Sequence, residues 1–414
     1  NRGANLTIFS GGSNLADITR TSNNIVRDSL ADGIAANGQF TLVENNQVFN
    51  LGVFGNLSSP FAGLRGSGIF RNNLVYNTEV GLLLTGSATG NTIFNSIQAG
   101  MWVGGMGTIA ENTIYSNPVG ILTRDLGGNG TTDDNLLLTG NLVYGNATGV
   151  RVEGVSARLV NNTIYQSTGN AIVGSQPIGL HVENNILSVD TGFAISVPNG
   201  SPTWSGDYNA FQIRSTGGIA SLATVNFNDL TAWSFAQGTD RNSFVADPQF
   251  LDFDGPDNVL GFSGGNFGAD DNFRVADSSP TIDRGNPATF FGREPIPNGN
   301  RIDLGAYGNT ALATSAAPEL IQILSPNGLE KLEEGQSVTL RFQSAGLAPE
   351  RIVAQLSSSN ATSQDWSAGA AYRLVGSNNN TTANIDVSGV SNPPPLPLFQ
   401  SYATTTSSVV GDSL

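Results

Sequence analysis

The chain has 414 residues, with 18 Lys and Arg against 33 Asp and Glu, a formal net charge of −15. That acid excess leaves no basic face for a phosphate backbone, which argues against nucleic acid as a partner, and no apolar run approaches the roughly 20 residues that cross a bilayer as a helix. Cysteine is absent, which removes disulfides and thiolate metal sites, while 51 glycines favour a fold of many tight turns. The chain opens on Asn1 without a starting Met or a signal peptide, as a processed product or a fragment would.

From the N-terminus a repeat governs residues 1–245. An Asn followed by apolar residues recurs at Asn24, Asn46, Asn73, Asn91, Asn112, Asn141, Asn162 and Asn185, at spacings of 18 to 29 residues. Three columns travel with it. One holds Val43, Phe70, Ala88, Ile109, Leu138, Leu159 and Val182. A second holds Val26, Val48, Val75, Ile93, Ile114, Val143, Ile164 and Leu187. The third is a small residue before an apolar one, as in Gly81-Leu82, Gly100-Met101 and Gly149-Val150. Loops between columns vary in length, with insertions at 51–62 and 124–135. A coil of about 22 residues cannot bury its own apolar face, so stacking of about nine coils is required. The expected fold is all-β: a right-handed parallel β-helix, followed by a small β-sandwich. Stacked Asn amides can form a hydrogen-bonded ladder, and Asn tolerates the left-handed backbone of a coil corner. The Asn column is therefore structural.

Beyond Asn199 the repeat fades, and residues 246–310 carry a second signature. Asp247-Pro-Gln-Phe-Leu is followed by Asn272-Phe-Arg, Ser279-Pro-Thr-Ile-Asp283-Arg-Gly285 and Arg301-Ile-Asp-Leu-Gly-Ala-Tyr307. This order resembles the C-terminal closing segment of secreted bacterial right-handed β-helix repeat proteins, with versions of "DPxF…SPAIDAG…DIGAYE". Gly308 stands where that family has Glu. The resemblance implies a segment that caps the helix end, and a secreted or cell-surface bacterial protein. Residues 311–318 read as a linker. Residues 319–392, with alternating runs at Ile321–Gly328 and Gly335–Phe342, Ile352–Ser357 and the pair Asp365-Trp366, resemble an Ig-like "SPNGGE"-type domain of bacterial surface proteins. Residues 393–414 read as a Pro/Ser/Thr-rich tail or an incomplete last strand.

Two groups are candidates for ligand chemistry. Phe49, Tyr76, Phe94, Tyr115, Tyr144 and Tyr165 each follow the repeat Asn by three residues, so with their neighbours inside they point outward. They either shield the sheet or form a platform for sugar rings or another surface protein. Asp252, Asp254 and Asp257, followed by Asp270 and Asp271, alternate oxygen ligands with glycines as a calcium loop does, though such clusters also form plain turns. Asp133-Asp134-Asn135 is a weaker version. Catalytic residues are not assigned. Among the coils lysine is absent, His181 is alone, and Glu44, Glu79, Glu111, Glu153 and Glu183 fall at differing registers without a recognisable arginine cluster. The expected function is an extracellular structural or adhesive protein, a surface, matrix or filament component that associates with itself head to tail or laterally. The alternative is a polysaccharide-binding or polysaccharide-degrading β-helix.

Overall fold

A computed structural model describes residues 6–9 and 18–325 except 39, 53–59, 106, 127–135, 177–178, 200–202, 267 and 316, and beyond them the backbone of short strands up to Asp412. The insertion tip at 127–135, including Asp133-Asp134-Asn135, and the pair Asp365-Trp366 lie outside the described residues, as does most of the 51–62 insertion. The chain divides after Thr314 into two compact units.

The first unit is a stack of parallel strands in three long sheets of 11, 9 and 10 strands, here named A, B and C. Each coil contributes one strand to A, one to B and one to C, so every coil pairs with the one before and the one after, as a β-helix-like solenoid requires. The apolar columns of the sequence are the registers of this stack. In sheet C, Val75 faces Ile93, then Ile114, Val143, Ile164 and Leu187. All six are fully buried, as are Phe70, Ala88, Ile109 and Leu159 of sheet B. β-branched side chains in register pack well on a pleated surface, and each coil supplies the apolar lid its neighbour lacks.

The small-residue column has a steric cause. Gly100, Gly120 and Gly149 are the second residues of strands Ala99–Val103, Val119–Arg124 and Thr148–Glu153 of sheet A. A Cβ on them would lie 2.6, 2.7 and 2.6 Å from methyl carbons of Ile114, Val143 and Ile164.

The corner between sheets B and C is two residues long, and the Asn ladder stands there. Asn24, Asn46, Asn73, Asn91, Asn112, Asn141, Asn162, Asn185 and Asn209 form an unbroken file, each side-chain N–H donating to the next Oδ1 at 2.9–3.1 Å. The left-handed conformation belongs to the preceding residue, not to the ladder Asn: Asn45, Asn72, Gly90, Glu111, Gly140, Asn161, Asn184 and Tyr208 all have φ between 52° and 67°. A second file, Asn117–Asn146–Gln166, runs inside the opposite corner of sheet C, each backbone N–H bonded to the next side-chain oxygen at 2.8–2.9 Å.

The last coil is closed by a strand and a helix. Val225–Phe227 pairs antiparallel with Gly218–Leu222, and helix α1 (Leu230–Gln237) follows, capped by Asp229, whose side chain accepts the Ala232 N–H. Trp233 is buried against Trp204 and Phe227. Its Nε1 donates to Asp240, which also receives the last ladder amide, Asn209.

The segment expected to cap the helix end instead folds back along the flank of sheet C. Phe262 N–H donates to Ser116 Oγ at 2.9 Å, Ala306 N–H to Thr163 Oγ1 at 2.9 Å, and Asn286 N–H to Asn184 Oδ1 at 2.7 Å. In the second unit, Leu320–Ser325, Ser337–Ala345 and Thr381–Asp386 form an antiparallel sheet. Ser401–Thr404 and Val409–Asp412 pair antiparallel, within the stretch the sequence reads as tail.

Candidate functional site

The outward aromatic column forms as the alternation predicts, and most of it is not open to a ligand. Phe49, Tyr76, Phe94, Tyr115 and Tyr144 stack at centroid spacings of 4.8–5.0 Å with interplanar angles of 3–15°. That spacing is the distance between paired strands. The folded-back segment covers Phe94, Tyr115, Tyr144 and Tyr165 with Phe250, Phe253, Leu260, Phe262 and Phe273, leaving the four rings at most 3% exposed. Burial and nearby carboxylates raise the phenols of Tyr115, Tyr144 and Tyr165 above their ordinary value. Tyr115 donates to Asn266 at 2.6 Å, Tyr144 to the Gly268 carbonyl at 3.2 Å and Tyr165 to Asp190 at 3.0 Å. A platform would need these rings in solvent, so shielding describes them, and only Phe49 and Tyr76 remain half-buried.

The acidic turn lies in the same segment. Asp257 accepts the Val259 N–H at 2.9 Å, and Asp271 accepts the Gly261 N–H at 2.9 Å. Asp270 lies against Gly255, where a Cβ would come 2.7 Å from its Oδ1. Burial pushes the Asp271 carboxyl up to about 6, against the hydrogen bond from the Gly261 N–H. No three of Asp252, Asp254, Asp257, Asp270 and Asp271, all described, bring oxygens within 4.8 Å of one another.

A different acidic group does. Asp283, Glu294 and Asp303 place one carboxylate oxygen each within 4.8 Å of the others, and all three are buried. The surrounding chain is almost all turns, and the carboxylates tie it together. Asp303 Oδ1 accepts the Asp283 N–H at 2.8 Å, while Glu294 Oε1 accepts those of Asp303 at 3.0 Å and Asn309 at 2.6 Å. The Gly305 N–H, donating to the Asn184 carbonyl at 2.9 Å, moors the group to the B–C corner. Desolvation raises all three carboxyls: Asp283 up to about 7, Asp303 well above its ordinary value, and Glu294 in the same direction. The buried Arg301 guanidinium opposes this at Asp283, and desolvation holds its own pKa down to about 10. The sequence reading passes over this group because residues 11 and 9 apart in turns follow no period. Asp283 and Asp303 do stand in the quoted closing motifs.

The exterior carboxylates of the coils are paired more than the sequence suggests. Sheet B pairing stacks Glu44 beside Arg71, and Arg20 lies 3.2 Å away from Glu44. The Arg71 hydrogen bond, then the charges of Arg20 and Arg71, hold Glu44 below the usual carboxylate range. His181 sits 3.5 Å from Glu183 and 2.9 Å from Ser205 Oγ. On sheet A a groove of about 330 Å³ is lined by Pro60, Arg65, Leu83, Trp102 and Leu126, with the Arg124 guanidinium 5.0 Å from the centre of the Trp102 ring. Among the described residues no helix is long and apolar enough to cross a membrane.

Comparison with family models, with curated proteins and with solved structures finds no match for this chain.

Proposed function

We propose that the chain is an extracellular structural or adhesive component of a bacterial surface, matrix or filament, a right-handed β-helix shaft followed by an Ig-like module. The observation that carries this reading is how completely the shaft is locked. One amide file runs through nine coils, a second supports it, and the aromatic flank is sealed by the chain's own segment. Such a solenoid resists local opening because each hydrogen-bonded side chain is tied to two neighbours. An active groove needs acid and base groups free to reach a substrate, whereas Asp32, Glu44 and Glu183 are engaged by Arg65, Arg71 and His181. Immunogold labelling of intact cells with antibody to this chain tests the reading. Label at the surface or in the surrounding matrix is expected, and label confined to the cell interior would overturn it.

The second reading, an acidic polysaccharide ligand, is favoured by the groove on sheet A. Trp102 and Arg65 line it and the Arg124 guanidinium lies over the Trp102 ring, so a cation stands beside the groove that could neutralise a uronate. Calorimetric titration with polyuronates, on the parent and on Arg124→Ala, separates the two. Saturable binding weakened by the substitution supports the sugar ligand.

A further inference from the structure

We infer that Asp283, Glu294 and Asp303 are the protein ligands of a single calcium ion, which locks the folded-back segment onto the β-helix. The inference is independent of the functional reading above.

Asp283 carries it. Its side chain is completely buried, yet neither carboxylate oxygen has a hydrogen-bond partner. A buried carboxylate with both oxygens unpartnered is among the costliest groups a protein can hold, and such groups are ordinarily paired or bound to metal. Its oxygens converge with those of Glu294 and Asp303. Gly299 packs against it with φ +53°, so close that a Cβ there would lie 2.1 Å from Asp283 Oδ2.

Charge points to a divalent ion. Three buried carboxylates face one buried guanidinium, Arg301, whose Nε is already engaged by the Gly285 carbonyl. With all three ionised, two negative charges remain, which one doubly charged cation would balance. The donor set is all hard oxygen, which suits calcium or magnesium and not softer metals. Two ligands on opposite sides of a calcium ion stand about 4.6–5.2 Å apart, so oxygens within 4.8 Å of one another can share one such ion. The irregular turns also suit the flexible geometry of calcium better than the strict octahedron of magnesium.

The competing occupant is the proton, since carboxyls with raised affinity could simply be neutral. The test uses the whole chain stripped with EDTA. Titration with CaCl2 in a calorimeter should give one site per chain, with MgCl2 weaker by at least about tenfold. The melting temperature should rise with calcium by mass action. Asp283→Asn should weaken calcium by at least about tenfold, whereas Asp254→Ala in the neighbouring turn should leave it unchanged. Absence of heat together with an unchanged melting temperature overturns the proposal in favour of protons. Binding that survives Asp283→Asn, or is lost in Asp254→Ala alone, overturns it in favour of another site. Should Asp283→Asn fail to fold, anomalous scattering from parent crystals soaked in CaCl2 decides. A peak among the three carboxylates upholds the site; a peak elsewhere, or none, rejects it.

Discussion

Asn141 shows what one ladder position does. Its Oδ1 accepts the main-chain and side-chain N–H groups of Asn112, and its Nδ2 donates to the Ile109 carbonyl and to Asn162 Oδ1. Both ends of the amide are thus used, in a fully buried place. Asn141→Ala would leave two donors on Asn112 without the oxygen they share, at about 1–3 kcal/mol for each unsatisfied group if relaxation does not relieve them. A loss of about 3–5 kcal/mol in urea unfolding is expected on that basis. Asn24→Ala, at the half-buried first rung, should cost clearly less, and equal losses at the two positions would contradict the ladder's role. The column itself is legible in the sequence, because a hydrogen-bonded file demands one residue type and tolerates any loop between rungs. The left-handed corner is less legible. It falls one position earlier, where Asn, Gly, Glu111 and Tyr208 all stand, so no single residue type marks it. Asp283, Glu294 and Asp303 were illegible for a related reason: turns bring them together, and turns leave no period to read.

At the scale of elements, the folded-back segment makes an outward aromatic column part of the interior. Alternation along a strand places Tyr144 and Tyr165 on the outer face of sheet C, and this much follows from spacing alone. What covers them, Phe253 and Phe273, lies about 90 to 130 residues further along the chain, and nothing in the column specifies it. Phe273 is the centre of the cover, fully buried, 4.6 Å from the Tyr144 ring and 5.8 Å from Tyr165. Phe273→Ala should therefore cost about 3–5 kcal/mol and increase tyrosine quenching by iodide. Unchanged quenching would mean that the segment does not seal the column. Asp271 gives the same contact a pH dependence. Its carboxyl is raised in the folded state, so the contribution favouring the fold is fully present below the ordinary carboxylate value near 4. It is lost as pH rises through about 6. Asp271→Asn keeps an oxygen to accept the Gly261 N–H and removes the charge. The substitution should raise the melting temperature at pH 7.5 and do little at pH 4, and an equal shift at both would remove Asp271 from the pH dependence.

At the scale of the first unit, the two ends of the solenoid differ, and the difference bears on assembly. The sequence reading expects head-to-tail or lateral joining, and the head-to-tail form needs an available edge at each end. The distal end is closed by Val225–Phe227 and by α1, with Trp233 seated against Trp204 and Phe227, while Asp240 terminates the amide file. Its closing helix was not legible, because α1 is only eight residues long and lies where the repeat has faded. At the other end, among the described residues, Leu6–Phe9, Thr19–Ser22 and Ile25–Ser29 are the last strands of sheets A, B and C. Ile25 and Leu30 are 68% and 71% exposed there. A sheet edge with apolar side chains recruits another edge. With one such end among the described residues, a contact through it is between like surfaces and closes at two subunits, whereas an open filament needs two unlike surfaces. Sedimentation velocity of the whole chain over a concentration series should therefore show monomer and dimer. Ile25→Lys should shift the balance to monomer by placing a charge on the edge, and Trp233→Ala, which loosens the cap, should give species larger than the dimer. Open-ended oligomers from the parent chain would show that the capped end takes part in assembly, and the filament would then rest on a surface other than a free strand edge.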